Sequence, residues 1–246
     1  MWRAFLIAGR FLSRLPLPDP GPVSGPELAR AAPLYPAVGL VIGLLIWGAA
    51  RLLTLPSVPD LAAALVLVVW VWLTGGLHLD GLADTADAWV GGLGDRRRTL
   101  EIMKDPTSGP FGVLALVLLL LCKWSAIATL MAEGALAGLV WIPVLARAQL
   151  LTLFLTTPYV RSAGMGADVR AHLPQAAAWS GVVIATAVSP LFLGIAALPA
   201  VLAAGALFLL WRRALIVRLG GFSGDTAGAL VELTETVVLA SILLFP

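Results

Sequence analysis

The sequence has 246 residues, of which 60% are hydrophobic and only 12% are charged, and its mean hydropathy is +0.97. Soluble proteins carry about 25% charged residues, so this composition excludes an ordinary soluble domain and indicates an integral membrane protein. The net charge of +2 comes without a basic patch interleaved with aromatic side chains, which argues against a nucleic-acid partner. The single cysteine, Cys122, allows no internal disulfide and no cysteine metal site.

The chain begins with an amphipathic segment, 1–15, in which Arg3, Arg10 and Arg14 fall within about 40° of one another on a helical wheel. This pattern predicts a short helix that lies in the membrane interface. Five prolines between positions 16 and 26 then predict an extended connection.

Seven apolar segments follow that we interpret as membrane-spanning helices, of which the fifth and sixth are short. They cover roughly 33–53, 61–77, 110–132, 135–157, 178–196, 198–213 and 227–245. No linker divides them, so we expect an all-α fold: one polytopic transmembrane helical bundle, 1–246, with about seven spans plus the N-terminal interfacial helix. The lipid bilayer is its expected surrounding, and the sequence leaves a homo-oligomer open.

The basic residues support this count of spans. With the N-terminus inside, thirteen of the sixteen lie in inside segments, whereas only Arg51 lies outside and Lys123 and Arg147 fall within spans. A bias of this kind is typical of cytoplasmic loops in membrane proteins. We therefore expect the segments 78–109, 158–177 and 214–226 to face the cytoplasm.

The inside segment that follows the second span carries a row of acids. Asp80, Asp84 and Asp87 are spaced at i, i+4 and i+7, so on a helix they point within roughly 60° of one another. Three carboxylates on one face repel one another unless a cation lies against them, and Mg²⁺ is the usual partner of such hard oxygen ligands. Acids that cap a helix and line a wetted face are the simpler alternative.

A second acidic group occurs near the start of the last span, at Asp225, Glu232 and Glu235. It is preceded by glycines, among them Gly221 and Gly224, whose backbone N–H groups could face a phosphate. Ionisable residues inside a span are functional candidates by default. The alternative is that Glu232 and Glu235 form buried ion pairs with Lys123 and Arg147.

Further polar residues complete the candidate site. Lys104, Arg147 and Lys123 could neutralise phosphate oxygens, as phosphoryl transfer requires. His78 stands just before the acidic row and is expected to orient a neighbour by a hydrogen bond. Asp105 precedes Pro106 at a turn into the third span, and its contact with metal or substrate is left open.

Four segments closely resemble the cobalamin synthase family, also called adenosylcobinamide-GDP ribazoletransferase. They are GGLHLDGLADTADA at 75–88, LEIMKDPTSGPFG at 100–112, RLP at 14–16 and LGGFSGDTAGALVELTE at 219–235. The resemblance implies a multi-span inner-membrane enzyme, dependent on Mg²⁺, that joins adenosylcobinamide-GDP to α-ribazole or its 5′-phosphate and releases GMP. It implies a bacterial cytoplasmic (inner) membrane location.

Carried onto this sequence, the resemblance places metal and pyrophosphate at Asp80, Asp84 and Asp87. It makes Lys104, Asp105 and Asp225 part of the same site, with Asp225 a further metal ligand. Two positions depart from the family pattern: Ala88 stands where a glycine is usual, and Leu79 stands where some members carry an acid. Neither departure removes one of the three acids.

The favoured function is therefore phosphoryl-group transfer, with a carboxylate accepting the proton of the attacking hydroxyl. Asp87, Asp225 and Glu232 are the candidates, in that order. A CDP-alcohol phosphotransferase also uses aspartates at helical spacing, but its pattern places Ala-Arg soon after Asp-Gly, unlike the sequence here. An ion-coupled transporter would show two similar halves, and the 74–112 pattern has no repeat in the second half.

Overall fold

The computed structural model describes residues 1–54 and 58–245, and the regular elements of this part of the chain are helices joined by loops. The thirteen α-helices of the described residues are α1 Trp2–Leu12, α2 Gly25–Ala31, α3 Tyr35–Leu52, α4 Pro59–Thr74, α5 Leu77–Gly91, α6 Arg96–Ile102, α7 Pro110–Glu133, α8 Gly138–Thr156, α9 Met165–His172, α10 Gln175–Ala187, α11 Ser189–Leu193, α12 Ala197–Leu219 and α13 Gly224–Leu244. Short 3₁₀ turns cover Ala32–Leu34 and Gly194–Ala196. The predicted all-α membrane bundle is confirmed.

Three short helices lie where the sequence predicts only loops or an extended connection: α2, α6 and α9. α2 begins with a capping box, in which the Ser24 backbone N–H donates to Glu27 Oε2 at 3.0 Å. α6 is capped by Asp95, whose Oδ1 accepts a hydrogen bond from Arg98 N at 2.7 Å. The capping box of α2 is a local signal that was readable in the sequence.

The N-terminal helix α1 forms as predicted, but its apolar face does not point only to lipid. Leu6, Ile7 and Leu12 are buried in the protein core, because α1 packs against α2 and α3. Trp2, at the first turn, remains exposed. Arg3 is an anchor as well as a surface charge, since its guanidinium donates to Glu27 Oε1 at 3.0 Å.

α8 lies at the centre of the bundle and packs against α3, α10 and α13. The contact with α3 depends on the spacing Gly39-x-x-x-Gly43. A Cβ atom at Gly43 would lie 2.7 Å from the Val140 carbonyl carbon, and one at Gly39 would lie 2.9 Å from Val144 Cα. The two backbones therefore approach as closely as the small-residue spacing predicts.

Five helical stretches of the described chain are long and apolar enough to cross a membrane. They are Gly25–Leu52, Pro110–Glu133, Gly138–Thr156, Gln175–Leu219 and Gly224–Leu244. α4 and α5 pass the same test only as a pair, bent by 89°, and counting that pair as one span gives six.

The stretch Gln175–Leu219 passes along α8 twice. Its 45 residues would measure about 67 Å as one helix, more than twice the roughly 30 Å of a hydrocarbon core. The Trp141 indole N–H, near the start of α8, donates to Ala185 O at 2.9 Å. Arg212 Nη2 donates to Thr156 O at 2.9 Å, at the opposite end of α8. Dividing the stretch into two spans raises six to seven, the number that the sequence predicts.

The α4–α5 bend is made by two glycines in the left-handed region. Gly75 and Gly76 have φ values of 65° and 69°, and the Gly76 N–H donates to Val71 O at 3.2 Å as it ends α4. Residues other than glycine rarely adopt this backbone conformation, so the glycine pair fixes the position at which the chain turns. The bend aims α5 at the first turns of α7 and α13.

We expect Gly43→Val to lower the melting temperature of the protein in detergent, because the added side chain collides with the α8 backbone. Gly48→Val on the same helix is the matched control, since a Cβ atom there meets nothing within 4 Å. Thermal unfolding of the two purified variants measures the difference. Equal melting temperatures would contradict the close packing of α3 on α8.

Candidate functional site

Helices α5 and α13 cross at two glycines. A Cβ atom at Gly81 would lie 2.6 Å from the Asp225 carbonyl oxygen, and one at Gly228 would lie 3.2 Å from His78 Cα. The two backbones are thus in direct contact near the start of each helix. The crossing brings together the two acidic groups that are about 140 residues apart in the sequence.

The crossing places four carboxylates in one region. Asp80 is exposed, Asp84 and Asp225 are half-buried, and Asp80, Asp225 and Asp87 are the acidic neighbours whose charges act on Asp84. Arg161 is the cation among them. The i, i+4, i+7 spacing of the sequence therefore does form one acidic face on α5, and this face meets α13.

Asp87 has a structural task in this arrangement. Its Oδ2 accepts the Gly109 N–H at 2.7 Å, and its Oδ1 accepts the N–H groups of Phe111 and Gly112 at 3.1 and 2.9 Å. Asp87 thereby caps the start of α7 and ties it to α5. A carboxylate has about four acceptor positions, and these three N–H groups occupy three of them. The roles of Asp87 as metal ligand and base stay predictions.

A cavity of about 570 Å³ opens beside the crossing. Its walls come from the end of α1, the start of α5, the end of α8, the loop 158–164 and the start of α13. Its charged lining consists of Arg10, Arg14, Asp80, Arg161 and Asp225. This mixture of acids, cations and apolar walls is suited to an anionic ligand that also has an apolar part.

The Gly-rich segment before α13 is hydrogen-bonded to the loop 158–164 through the backbone of Phe222. The Phe222 N–H donates to Pro158 O at 2.9 Å, and the Val160 N–H donates to Phe222 O at 2.9 Å, which forms a short parallel bridge. A Cβ atom at Gly221 would lie 3.0 Å from the Pro158 carbonyl carbon. Gly221 thus permits a backbone contact with the loop, while its predicted phosphate contact stays untested.

Gly224 and Asp225 begin α13 at the cavity. Gly224 lines the cavity and follows Ser223, the N-cap of α13, whose Oγ accepts the Thr226 N–H at 3.3 Å. Asp225 Oδ2 accepts a hydrogen bond from Arg161 Nη2 at 2.7 Å. Burial raises the pKa of the neighbouring Tyr159 phenol, so Tyr159 is a neutral hydrogen-bond donor in this wall.

Glu232 and Glu235 lie deeper in α13, in a buried ion cluster. Lys123 Nζ donates to Glu232 Oε2 and to Glu235 Oε2, each at 2.6 Å, and Arg147 pairs with Glu235 Oε1. All four side chains are less than 5% exposed. The structure therefore has the buried ion pairs that the sequence left as an alternative. It places Glu232 and Arg147 outside the cavity lining.

His78 connects this cluster to the cavity. It is buried, it lines the cavity, and Arg147, Glu235 and Lys123 are the charged groups around it. Among the described residues, its Nδ1 has no hydrogen-bond partner.

Lys104 and Asp105 lie in an exposed turn between α6 and α7, outside the cavity lining. The Thr107 N–H and hydroxyl both donate to Asp105 Oδ1, and these hydrogen bonds hold the pKa of Asp105 below its usual range. The turn still approaches the α13 start, because Ser223 Oγ lies 3.7 Å from Met103 Sδ. The structure thus brings the segment near the site but does not bring these two side chains into it.

The carboxylate oxygens are the right type of ligand for a divalent cation, but they do not converge on one point in this structure. Asp80, Asp84 and Asp225 supply the carboxylate oxygens that Mg²⁺ prefers. Among residues 1–54 and 58–245, however, no three acidic, histidine or cysteine side chains converge closely enough to hold an ion. Arg161 is paired with Oδ2 of Asp225, so Asp225 would bind a metal through Oδ1 or after that pair separates.

Three arginines of the cavity were not predicted as site residues from the sequence: Arg10, Arg14 and Arg161. Arg10 lies in α1 and Arg14 lies two residues beyond its end, and both were assigned to membrane topology alone. Arg161 lies in a loop that carries no motif. Arg14 belongs to the RLP segment at 14–16, which was the one available signal.

We expect Glu235→Gln to lower the melting temperature strongly, because it leaves Arg147 and Lys123 short of negative charge in a buried environment. Removing one partner of a buried pair typically costs about 3–5 kcal/mol. Glu133→Gln, at the exposed end of α7, is the control. If both variants unfold at the wild-type temperature in detergent, the cluster does not stabilise the fold.

The chain matches known proteins over nearly its full length. The family model described as cobalamin-5-phosphate synthase matches residues 4–243. The chain is 52% identical over 239 residues to an adenosylcobinamide-GDP ribazoletransferase of Stutzerimonas stutzeri strain A1501, and the match covers 97% of each protein. It is 50% identical over 244 residues to one of Pseudomonas aeruginosa strain PAO1, and 98% of each protein is covered.

No solved structure matches the chain. The family and the relatives favour the transferase over the CDP-alcohol phosphotransferase and the transporter that the sequence left open. Together with the four segments that meet around α5, the matches confirm the resemblance found in the sequence. The chain therefore belongs to the cobalamin-5-phosphate synthase family, a family of cobalamin-synthesising enzymes.

Proposed function

We propose that this protein is a Mg²⁺-dependent transferase that joins adenosylcobinamide-GDP to α-ribazole or its 5′-phosphate and releases GMP. Its family membership and the names of its relatives support the choice of substrates. The single structural observation that carries the proposal is the α5–α13 crossing, which puts Asp80 and Asp225 on one cavity together with three arginines.

The reaction exchanges one phosphorus–oxygen bond for another. A hydroxyl oxygen of the ribazole forms a bond to the phosphorus on the cobinamide side of the diphosphate, and the bond from that phosphorus to the GMP oxygen breaks. The hydroxyl proton passes to a carboxylate. Of the three candidate bases, Asp225 lines the cavity, Asp87 caps α7, and Glu232 is bound to Lys123, so we favour Asp225.

Asp80, Asp84 and Asp225 would hold the Mg²⁺, with Asp87 as a further candidate. A Mg²⁺ ion held by these carboxylates would supply positive charge to the diphosphate oxygens and to the departing GMP. The arginines of the cavity add positive charge, with Arg161 directly beside Asp225. The apolar parts of the walls lower the local dielectric constant, which strengthens each of these interactions.

We place the site on the cytoplasmic side of the inner membrane. The segments 78–109, 158–177 and 214–226 meet at one end of the bundle: Arg96 Nε donates to Leu219 O at 2.7 Å, and Arg161 pairs with Asp225. These segments and the N-terminal region carry eleven of the sixteen basic residues, and Arg212 and Arg213 at the adjoining end of α12 raise the number to thirteen, which favours the cytoplasmic side.

Asp80→Asn and Asp84→Asn should each abolish GMP release from adenosylcobinamide-GDP while the protein remains folded in detergent. The amide removes the charge that holds the metal but keeps the size of the side chain. Glu133→Gln, which also removes one carboxylate but at the other end of the bundle, should retain activity. Near-normal turnover of either aspartate variant would remove that residue from the proposed metal site.

Single cysteines introduced at Arg97 and Met165, in a background with Cys122→Ser, should resist membrane-impermeant thiol reagents in intact cells and react after the cells are permeabilised. Both positions are exposed in the structure, so burial does not protect them. A cysteine at Glu133 should react in intact cells. Labelling of the cysteines at positions 97 and 165 without permeabilisation would place the site on the opposite side of the membrane.

A further inference from the structure

Arg14 is held at the mouth of the cavity by contacts that leave its charged end available. α1 ends at Leu12, and Ser13 closes it by donating from Oγ to Gly9 O at 2.6 Å. The Arg14 backbone N–H then donates to Leu73 O, at the end of α4, at 2.8 Å. The residue is thus fixed to the α4–α5 bend by its backbone, while its side chain is exposed and lines the cavity.

The Arg14 side chain occupies space that a side chain at position 75 would fill. A Cβ atom at Gly75 would lie 2.9 Å from Arg14 Nε and 3.1 Å from Arg14 Cδ. The Arg14 stem therefore crosses directly over the bend that leads into α5. This crossing sets the guanidinium beside the helix that carries Asp80.

The three arginines of the cavity differ in what they bind within the protein. Arg161 is paired with Asp225 at 2.7 Å, and Arg10 donates to Leu17 O at 3.1 Å. Within the described part of the chain, the Arg14 guanidinium has neither an ion-pair nor a hydrogen-bond partner. A planar guanidinium with five free donors is the group that binds phosphate oxygens in pairs.

We propose that Arg14 is a phosphate-binding residue of this cavity, contributed by the N-terminal region. This inference rests on the proposed function. The pairing of Arg161 with Asp225 leaves Asp80 and Arg14 as an acid and a base of the lining without an ion-pair partner among the described residues, so a phosphate that arrives with a metal at Asp80 can also bind Arg14. Two substrates carry phosphate: the corrinoid nucleotide has a diphosphate, and the phosphorylated ribazole has a monoester.

Direct binding tests the proposal without turnover. In Mg²⁺ buffer, inorganic phosphate and pyrophosphate should raise the melting temperature of the wild-type protein and bind with a measurable Kd by calorimetry. Arg14→Gln should weaken one or both by roughly 10- to 100-fold, as expected for the loss of a charged hydrogen bond. Arg213→Gln is the matched control, since Arg213 is exposed, outside the lining, and loses the same charge.

Steady-state kinetics then identify the source of the phosphate. If Arg14→Gln raises KM for ribazole 5′-phosphate by about tenfold or more but leaves KM for unphosphorylated ribazole unchanged, Arg14 binds the monoester. If it raises KM for adenosylcobinamide-GDP with both acceptors, Arg14 binds the diphosphate. Loss of kcat with unchanged KM for every substrate would count against binding, and Arg14→Lys should restore part of the affinity.

A pair of glycine variants separates the displacement of Arg14 from backbone strain. Gly75→Ala and Gly76→Ala both place a side chain at a positive φ, 65° and 69°. Only the Gly75 Cβ meets Arg14, whereas nothing lies within 4 Å of a Cβ at Gly76. Gly75→Ala should therefore weaken phosphate binding in the same direction as Arg14→Gln, and Gly76→Ala should not.

The outcomes distinguish this inference from the proposed function. A wild-type protein that releases no GMP would overturn the proposed reaction, yet the binding measurements would still decide the role of Arg14. Phosphate and pyrophosphate that fail to bind the wild-type protein, or that bind Arg14→Gln as tightly as wild type, would overturn the inference even if the enzyme is active.

Discussion

The contact between the backbones of α5 and α13 is the constraint on which the site depends. Gly81 and Gly228 leave no side chain between the two helices, so Asp225 is brought against a helix that begins about 150 residues earlier in the chain. In a membrane, where lipid is as apolar as a leucine side chain, such close packing is a main source of helix association. The same contact gathers negative charge, which opposes it unless cations lie nearby.

Cations are present at two depths in the bundle, and their roles differ. Deep in the bundle, Lys123 and Arg147 match Glu232 and Glu235, so the cluster is neutral by formal charge and ties α7, α8 and α13 together. Ionised groups at this depth are costly unless paired, which makes the set intolerant of single changes. Near the surface, arginines and aspartates are exposed enough to exchange their partners for a ligand.

Much of the fold could be predicted from the sequence, because apolar length and charge placement reflect the bilayer directly. The acidic face of α5 was also predictable, since Asp80, Asp84 and Asp87 follow a helical period. What the period could not show is which carboxylate has protein partners: Asp87 caps α7 through residues more than twenty positions away. The 89° bend was hidden as well, because Gly75 and Gly76 are equally compatible with close approach of a ligand.

The shortness of α4 has a consequence for the membrane around the site. Its 16 residues measure about 24 Å, roughly 6 Å less than the hydrocarbon thickness of a typical bilayer. Because the chain turns at Gly75, a bilayer would accommodate a span of this length by thinning locally or by letting water reach the polar residues of α5. Acyl-chain length is therefore expected to act on the enzyme through hydrophobic mismatch at α4.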